Sequence, residues 1–317
     1  MQAFAASLPS WEALLQALVS GLLTGGLYAL LGLGMALIFG VMRIINLAHG
    51  ELLMVGMYLT FWSHTSLGLS PYAAAAVGVP ALFALGYLLE RHLIGPVSRA
   101  DAVLPDNQVL LTVGIGMVLT NVMLSLFSAD YHSVPSPLAG RVVRLAVPGL
   151  AASGSSGTEA SGFLVMNQAA ILAFVIAGLA TAGLWAFLTR TDLGRGIRAT
   201  AQNREAAELL GLDTARVRAV TYGIGAALTG AAASLFVPLY YVYPAVGGSF
   251  TTKAFIVTVL GGMGSIPGAV AGGLLLGAGE AIGATCLGMD WKDAVGFCLF
   301  VLVLVLRPAG LAGRSRS

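Results

Sequence analysis

Residues 189–218 read TRTDLGRGIRATAQNREAAELLGLDTARVR and lie between two long apolar runs. The stretch holds six of the sixteen basic residues: Arg190, Arg195, Arg198, Arg204, Arg216 and Arg218. A charged island flanked by oily segments cannot sit in hydrocarbon, so it faces water. Its excess of arginine assigns it to the cytoplasmic side. The whole chain is 57% hydrophobic and 9% charged, with a mean hydropathy of +0.89. Soluble domains carry about 25% charged residues, so the composition selects an integral membrane protein. The expectation is an all-α, polytopic bundle forming one domain over residues 1–317, with about 8–9 membrane segments.

The apolar runs are Trp11–Phe39, Asn46–Trp62, Pro71–Leu89, Val109–Phe127, Gln168–Leu188, Val217–Leu239, a short segment from Thr251, Ala269–Ala284 and Ala294–Leu306. The first exceeds the ~20 residues a span needs, which predicts tilt or a kink near its glycines. Between the fourth and fifth runs, residues 129–167 form a polar loop with a flexible Ser153–Gly157 and a short strand or hairpin arm at Arg141–Val147. Tyr240, Tyr241 and Tyr243 mark a membrane interface. Around 251–268 the brief apolar segment and Gly261-Gly262-Met263-Gly264-Ser265-Ile266-Pro267-Gly268 predict a broken helix. Taken as twelve residues it spans only about 18 Å, so burial among other helices is required.

Charge checks the topology. If every run crosses once and the island is inside, twelve basic residues lie inside and four outside: Arg141, Arg144, Lys253 and Lys292. If the 251–262 segment fails to cross, Arg307, Arg314 and Arg316 move outside, against the positive-inside rule. The N-terminus and the 129–167 loop are then external and the C-terminus is cytoplasmic. No basic segment precedes the first run, so a cleaved signal peptide is not expected. The net charge of +2 gives no reason to expect nucleic acid. Cys286 and Cys298 suggest neither a disulfide framework nor a metal site.

Within the island, Asn203 suits an N-cap, Glu205 falls in the first turn where the helix dipole favours an acid, and Gly211 suits a left-handed C-terminal cap. A helix of about two turns is expected outside the membrane, its small-residue face (Ala206, Ala207) open to another protein. Asn203, Arg204, Glu205, Ala206, Ala207, Glu208 and Gly211 are the candidate coupling residues. Glu205-Ala206-Ala207, three residues, then Gly211 resembles the EAA loop of ABC importer permeases. That resemblance implies a coupling helix that docks in a groove on a separate ATPase subunit. The Leu-Pro that often follows in other importer families is absent.

Arg43-Ile-Ile-Asn46-Leu47-Ala48-His49-Gly50-Glu51 opens the second run, with Glu51 about 12 Å from Arg43 if helical. Polar groups at that depth face a bundle interior or a cavity. Asn46, His49, Gly50 and Glu51 either line the translocation path or its gate, or pin this helix to its neighbours by hydrogen bonds. Glu280 lies inside an apolar run, either as a proton relay or as a structural acid; no second acid or base spaced for a relay is evident. Gly264, Gly268 and Gly272 repeat at every fourth position, a spacing that packs helices within the chain or against a second subunit. The segments Asn46–Glu51 and Gly261–Gly268 resemble branched-chain amino acid permeases of the hydrophobic amino acid uptake family, over most of the chain.

Absences narrow the function further. No Gly-rich loop ends in Gly-Lys-Ser/Thr, and the only lysines are Lys253 and Lys292, so nucleotide hydrolysis is not expected here. No HExxH or Cys/His cluster points to a membrane enzyme. The resemblance implies a bacterial inner-membrane subunit that binds no cofactor itself, with ATP and Mg on the partner. It also implies a second permease subunit, two ABC ATPase subunits, an extracytoplasmic substrate-binding protein and ATP-driven alternating access. The substrate class it implies is branched-chain or related hydrophobic amino acids; urea, short amides and other amino acids stay open. The alternative is a proton-coupled secondary transporter using Glu280 and the 251–268 region. A passive channel would give flux without an energy source, and a structural subunit would not alter transport when deleted.

Overall fold

Helix α1 (Trp11–Met42) starts where Ser10 caps it, its Oγ accepting from the Ala13 amide at 3.3 Å. The computed structural model describes residues 9–100, 106–146 and 163–313. The Ser153–Gly157 linker, Arg314, Arg316 and the extreme N-terminus lie outside the described residues. α1 runs for 32 residues without a break in the helix. Its glycines serve close approach: a Cβ on Gly25 would stand 2.8 Å from the Gly273 carbonyl, so α1 lies backbone to backbone on α11 (Ile266–Leu287).

The remaining elements follow in chain order. α2 (His49–Leu67) is followed by α3 (Ala75–Leu89), which continues through a π turn (Glu90–Ile94) into α4 (Gly95–Ala100), then α5 (Asp106–Phe127). A hairpin pairs β1 (Val142–Ala146) antiparallel with β2 (Phe163–Asn167), Arg144 opposite Val165. β1 falls within the arm expected at 141–147, of which Val147 lies outside the described residues; its partner β2 lies in a segment of polar-loop character. Asn167 Oδ1 then caps α6 (Gln168–Arg190) through the Ala169 amide at 2.8 Å. The island carries α7 (Asp192–Gln202) and α8 (Arg204–Leu209), and α9 (Thr214–Phe236), α10 (Val246–Gly261), α11 and α12 (Lys292–Leu306) complete the chain.

Among the described residues, six helical segments are long and apolar enough to cross a bilayer: 11–42, 75–97, 107–127, 168–190, 214–236 and 266–287. α2, α10 and α12 are shorter or more polar helices packed among them. α1 holds the centre, against α6, α9, α10 and α11; α3 lies along α9 and α5 along α2. α5 and α6 show large apolar side chains outward, Leu110 and Leu179 among them. Such a surface suits a bilayer and would be an aggregation liability in water.

The break expected around 251–268 is present, but the helix before it is longer than expected. α10 starts at Val246, five residues before Thr251, so it is 16 residues long, or about 24 Å. The turn Gly262–Ser265 separates it from α11, with Gly262 at φ +95 and Gly264 at φ +85. Gly247 lies inside α10, where α2 approaches too closely for a side chain.

Candidate functional site

The island folds as two capped helices. Thr191 Oγ1 accepts from the Gly194 amide at 3.0 Å and starts α7. Gly194 then sits against the Phe187 carbonyl and Leu188 of α6, and Ile197 and Thr200 are buried. This helix escaped the sequence reading because Gly194 and Gly196 lower helix propensity; the signal was Thr191 as a cap followed by Asp192. α7 ends at Asn203, whose Oδ1 accepts from the Ala206 amide at 3.0 Å and so starts α8. Gly211 closes it at φ +82, its amide reaching the Glu208 carbonyl at 3.0 Å.

One expectation about α8 needs correction. Ala207 is 2% exposed, whereas Leu209 and Leu210 are 89% and 82% exposed. The open face is Glu205, Ala206, Leu209 and Leu210, with Ala207 turned inward. Glu208 braces the helix: it accepts from the Thr214 hydroxyl and pairs with Arg204 Nε at 3.0 Å. Those two contacts, Thr214 first, hold its carboxyl below the usual carboxylate range. A lowered carboxylate contributes while ionised, so the brace is present at neutral pH and lost as pH falls through that lowered value. Ala207→Arg is therefore expected to disturb the seating of α8, since it forces a charge into a buried site. Leu209→Asp should leave the seating intact and alter only what the open face can bind; limited proteolysis of the island in the two variants checks this.

α9 carries a polar face that reaches a different element at each step. Thr214 meets Glu208 of α8. One turn on, Arg218 pairs with Glu90 in the π turn at 2.9 Å, the two side chains being 5% and 4% exposed. A further turn on, the buried Tyr222 hydroxyl lies against the Asn46 side chain. Thr229 Oγ1 lies 3.2 Å from His49 Nε2. The spacing of four places Thr214, Arg218 and Tyr222 along one face. Arg218 and Glu90 fall at the ends of apolar runs, where charges resemble ordinary span boundaries, so their pairing has no local signal in the sequence.

At the other end of that stripe lies the start of α2. Asn46 Oδ1 accepts from the Ala48 amide at 3.1 Å. His49 is fully buried and its Nε2 lies 3.0 Å from the Leu31 carbonyl of α1. A carbonyl only accepts, which assigns the proton to Nε2. The Gly50 amide donates to Thr251 Oγ1 of α10 at 2.9 Å, and Thr251 Oγ1 donates to Glu51 Oε2 at 3.0 Å. Any Cβ on Gly50 would collide with the Gly247 carbonyl and with Thr251. Gly50→Ala must therefore push α2 off α10, at an expected cost of about 1–3 kcal/mol for overpacking, read as a lowered unfolding midpoint of the purified protein.

Glu280 is not a lone acid. Lys253 Nζ lies 2.5 Å from its Oε1 and 2.8 Å from Asp293, and Lys292 Nζ lies 3.6 Å from its Oε2. Tyr28 donates its hydroxyl to Oε2 at 3.0 Å. The cluster joins α1, α10, α11 and α12, and its polar pocket of about 190 Å³ is lined by Lys253, Glu280 and Asp293. Lys253, placed outside by the charge count, sits about two turns inside α10. Lys253 and Glu280 are 27 positions apart, so no local pattern in the sequence signals their pairing.

The glycine repeat lies at helix contacts within the chain. A Cβ on Gly264 would stand 2.9 Å from Gly40 Cα of α1; on Gly272, 2.5 Å from the Val257 carbonyl of α10; Gly268 abuts Gly261. Among the described residues no group of His, Cys, Asp and Glu is arranged to hold a metal.

Buried polar clusters within apolar helices and a capped amphipathic module between two spans define a multi-pass α-helical membrane protein. The family model described as the branched-chain amino acid transport system / permease component matches residues 17–304. The permease protein BraD of the high-affinity branched-chain amino acid transport system of Pseudomonas aeruginosa is 37% identical over 309 residues, covering 95% of this chain and 96% of the relative. The corresponding LivH of Escherichia coli K12 is 35% identical, with the same coverage of both chains. LivM of the same organism, also a permease protein of that system, is 26% identical over 92% of this chain and 68% of its own. No solved structure matches. The chain belongs to the branched-chain amino acid transport permease family.

Proposed function

We propose that this chain is the membrane-spanning permease subunit of an ABC importer. It carries branched-chain or related hydrophobic amino acids into the cytoplasm of a bacterium by ATP-driven alternating access. The observation that carries this reading is α8: a short helix capped at both ends, braced by Glu208, and offering Ala206, Leu209 and Leu210 to a partner. Two exposed leucines at the end of a six-residue helix, Leu209 and its cap Leu210, gain nothing in water and suit a protein groove. The ATPase pair, with its ATP and Mg, would seat α8. Closure of that pair would push on α9 through Glu208 and Thr214 and rock the spans. The N-terminus and the hairpin loop then face outward to receive a loaded binding protein, and the C-terminus faces the cytoplasm.

A second permease subunit is part of this reading, supported by the likeness of the chain to both LivH and LivM, two permease proteins of one system. The proton-coupled alternative needed Glu280 as a free relay; its pairing with Lys253 and Lys292 gives that carboxylate a clamping use instead. The reading is tested by a tagged pull-down from native membranes. An ABC ATPase and a second permease should accompany the chain in stoichiometric amounts. Uptake driven by a proton gradient in proteoliposomes lacking any ATPase would contradict it.

A further inference from the structure

The geometry points to Glu51 as the group that receives the substrate's α-ammonium at mid-membrane, on an open face of this chain between α2, α5 and α10. The inference rests on the importer reading above and assigns a site within it.

Depth comes first. Glu51 packs against Gly116 of α5: a Cβ there would stand 3.5 Å from its Cγ and Cδ. Gly116 lies ten residues from the start of α5 and eleven from its end, about 15 Å from either. The adjoining His49 is seated against Leu31 and Thr229, both in the interior of their helices. Glu51 therefore stands near the middle of the bilayer.

Charge comes second. Among the described residues, the other carboxylates buried in the spans each have a cation: Glu90 has Arg218, and Glu280 has Lys253. Among the described residues no ion pair involves Glu51. Thr251 donates one hydrogen bond to Oε2, which fixes the side chain and leaves acceptor capacity on the carboxylate. A carboxylate at the centre of a bilayer costs several kcal/mol and does not face lipid.

Access comes third. Glu51 is partly exposed, whereas its neighbours His49, Gly50 and Leu52 are buried. Gly116 puts no side chain between it and α5, and Gly248, exposed at the start of α10, leaves that flank open as well. A held carboxylate with free acceptors, an open approach and no resident cation fits a primary ammonium, which supplies three donors and one positive charge. An amino acid carries that group whatever its side chain, so the site would serve a whole substrate class and leave side-chain choice elsewhere.

The test uses the complete transporter with its ATPases and binding protein in proteoliposomes, with L-leucine as the probe. Glu51→Gln keeps the shape and the Thr251 bond but removes the charge. Leucine uptake is expected to fall roughly tenfold or more, the scale of a lost charged hydrogen bond. ATP hydrolysis stimulated by loaded binding protein should stay within about twofold of wild type, and Glu51→Asp should restore part of the uptake. Unchanged uptake in the Gln variant overturns the assignment. So does parallel loss of uptake and ATP hydrolysis in both variants, which marks a structural residue. Failure of the Gln variant to assemble with the second permease overturns it too, since Glu51 would then pair with a partner's cation. A wild-type complex that fails to couple ATP to leucine uptake would instead refute the importer reading.

Discussion

Replacing Arg218 with Ala is expected to cost about 3–5 kcal/mol, because it strands the buried carboxylate of Glu90 without its cation. The two side chains are 5% and 4% exposed and 2.9 Å apart, so solvent cannot take over the lost charge. Substituting both by methionine should be far milder, since apolar groups of similar volume need no partner. Thermal unfolding of the detergent-purified single and double variants would show this order of midpoints. Equal midpoints for Arg218→Ala and wild type would mean that Glu90 is neutral or is satisfied elsewhere. The pair also joins α9 to the π turn one helical turn after Thr214, the residue that holds Glu208 of α8, so the stable double variant separates stability from coupling. With the ion pair gone but the fold kept, ATP hydrolysis per amino acid imported is expected to rise.

The second large effect concerns Lys253. Lys253→Met removes the nearest cation from Glu280, which is 2% exposed, and leaves Lys292 at 3.6 Å. A loss of about 3–5 kcal/mol is expected. Asp293→Asn breaks the other contact of the same lysine, but Asp293 is 74% exposed, so its loss should be below about 1 kcal/mol. The ratio between the two variants is the informative quantity. Comparable losses would mean that the outer contact with Asp293 on α12, and not the buried one with Glu280 on α11, carries the stabilisation.

Much of the architecture was readable before any coordinates, because the bilayer imposes a coarse code. Run lengths placed α1, α6, α9 and α12 to within a few residues. Asn203 and Gly211 announced α8 through cap chemistry that acts over three or four positions. What stayed hidden was of two kinds. Glycines at helix contacts, such as Gly194 in α7 and Gly247 in α10, look like breakers until the neighbouring backbone that demands them is known. Long-range polar partners leave no local trace either: Glu90 meets Arg218, Glu280 meets Lys253, and Gly50 meets Thr251 across 201 positions. The inward turn of Ala207 belongs to the second kind, since helical periodicity alone could not say which side of α8 the bundle would take. Of the midspan cluster, Asn46, His49, Gly50 and Glu51 were singled out by their polarity alone. Their division into packing groups and one open carboxylate needed α1, α5, α9 and α10 in place.

The most direct measurement is site-specific cross-linking from α8. Cys286 and Cys298 are exposed and would first be changed to Ser. An Ala206→Cys variant would then be treated in native membranes with a short thiol-to-amine cross-linker. The account predicts one dominant adduct, with an ABC ATPase subunit, and no labelling of that cysteine by a membrane-impermeant maleimide added to the outside of intact cells. Labelling from outside, or an α8 cysteine with no ATPase adduct in actively transporting membranes, would contradict it.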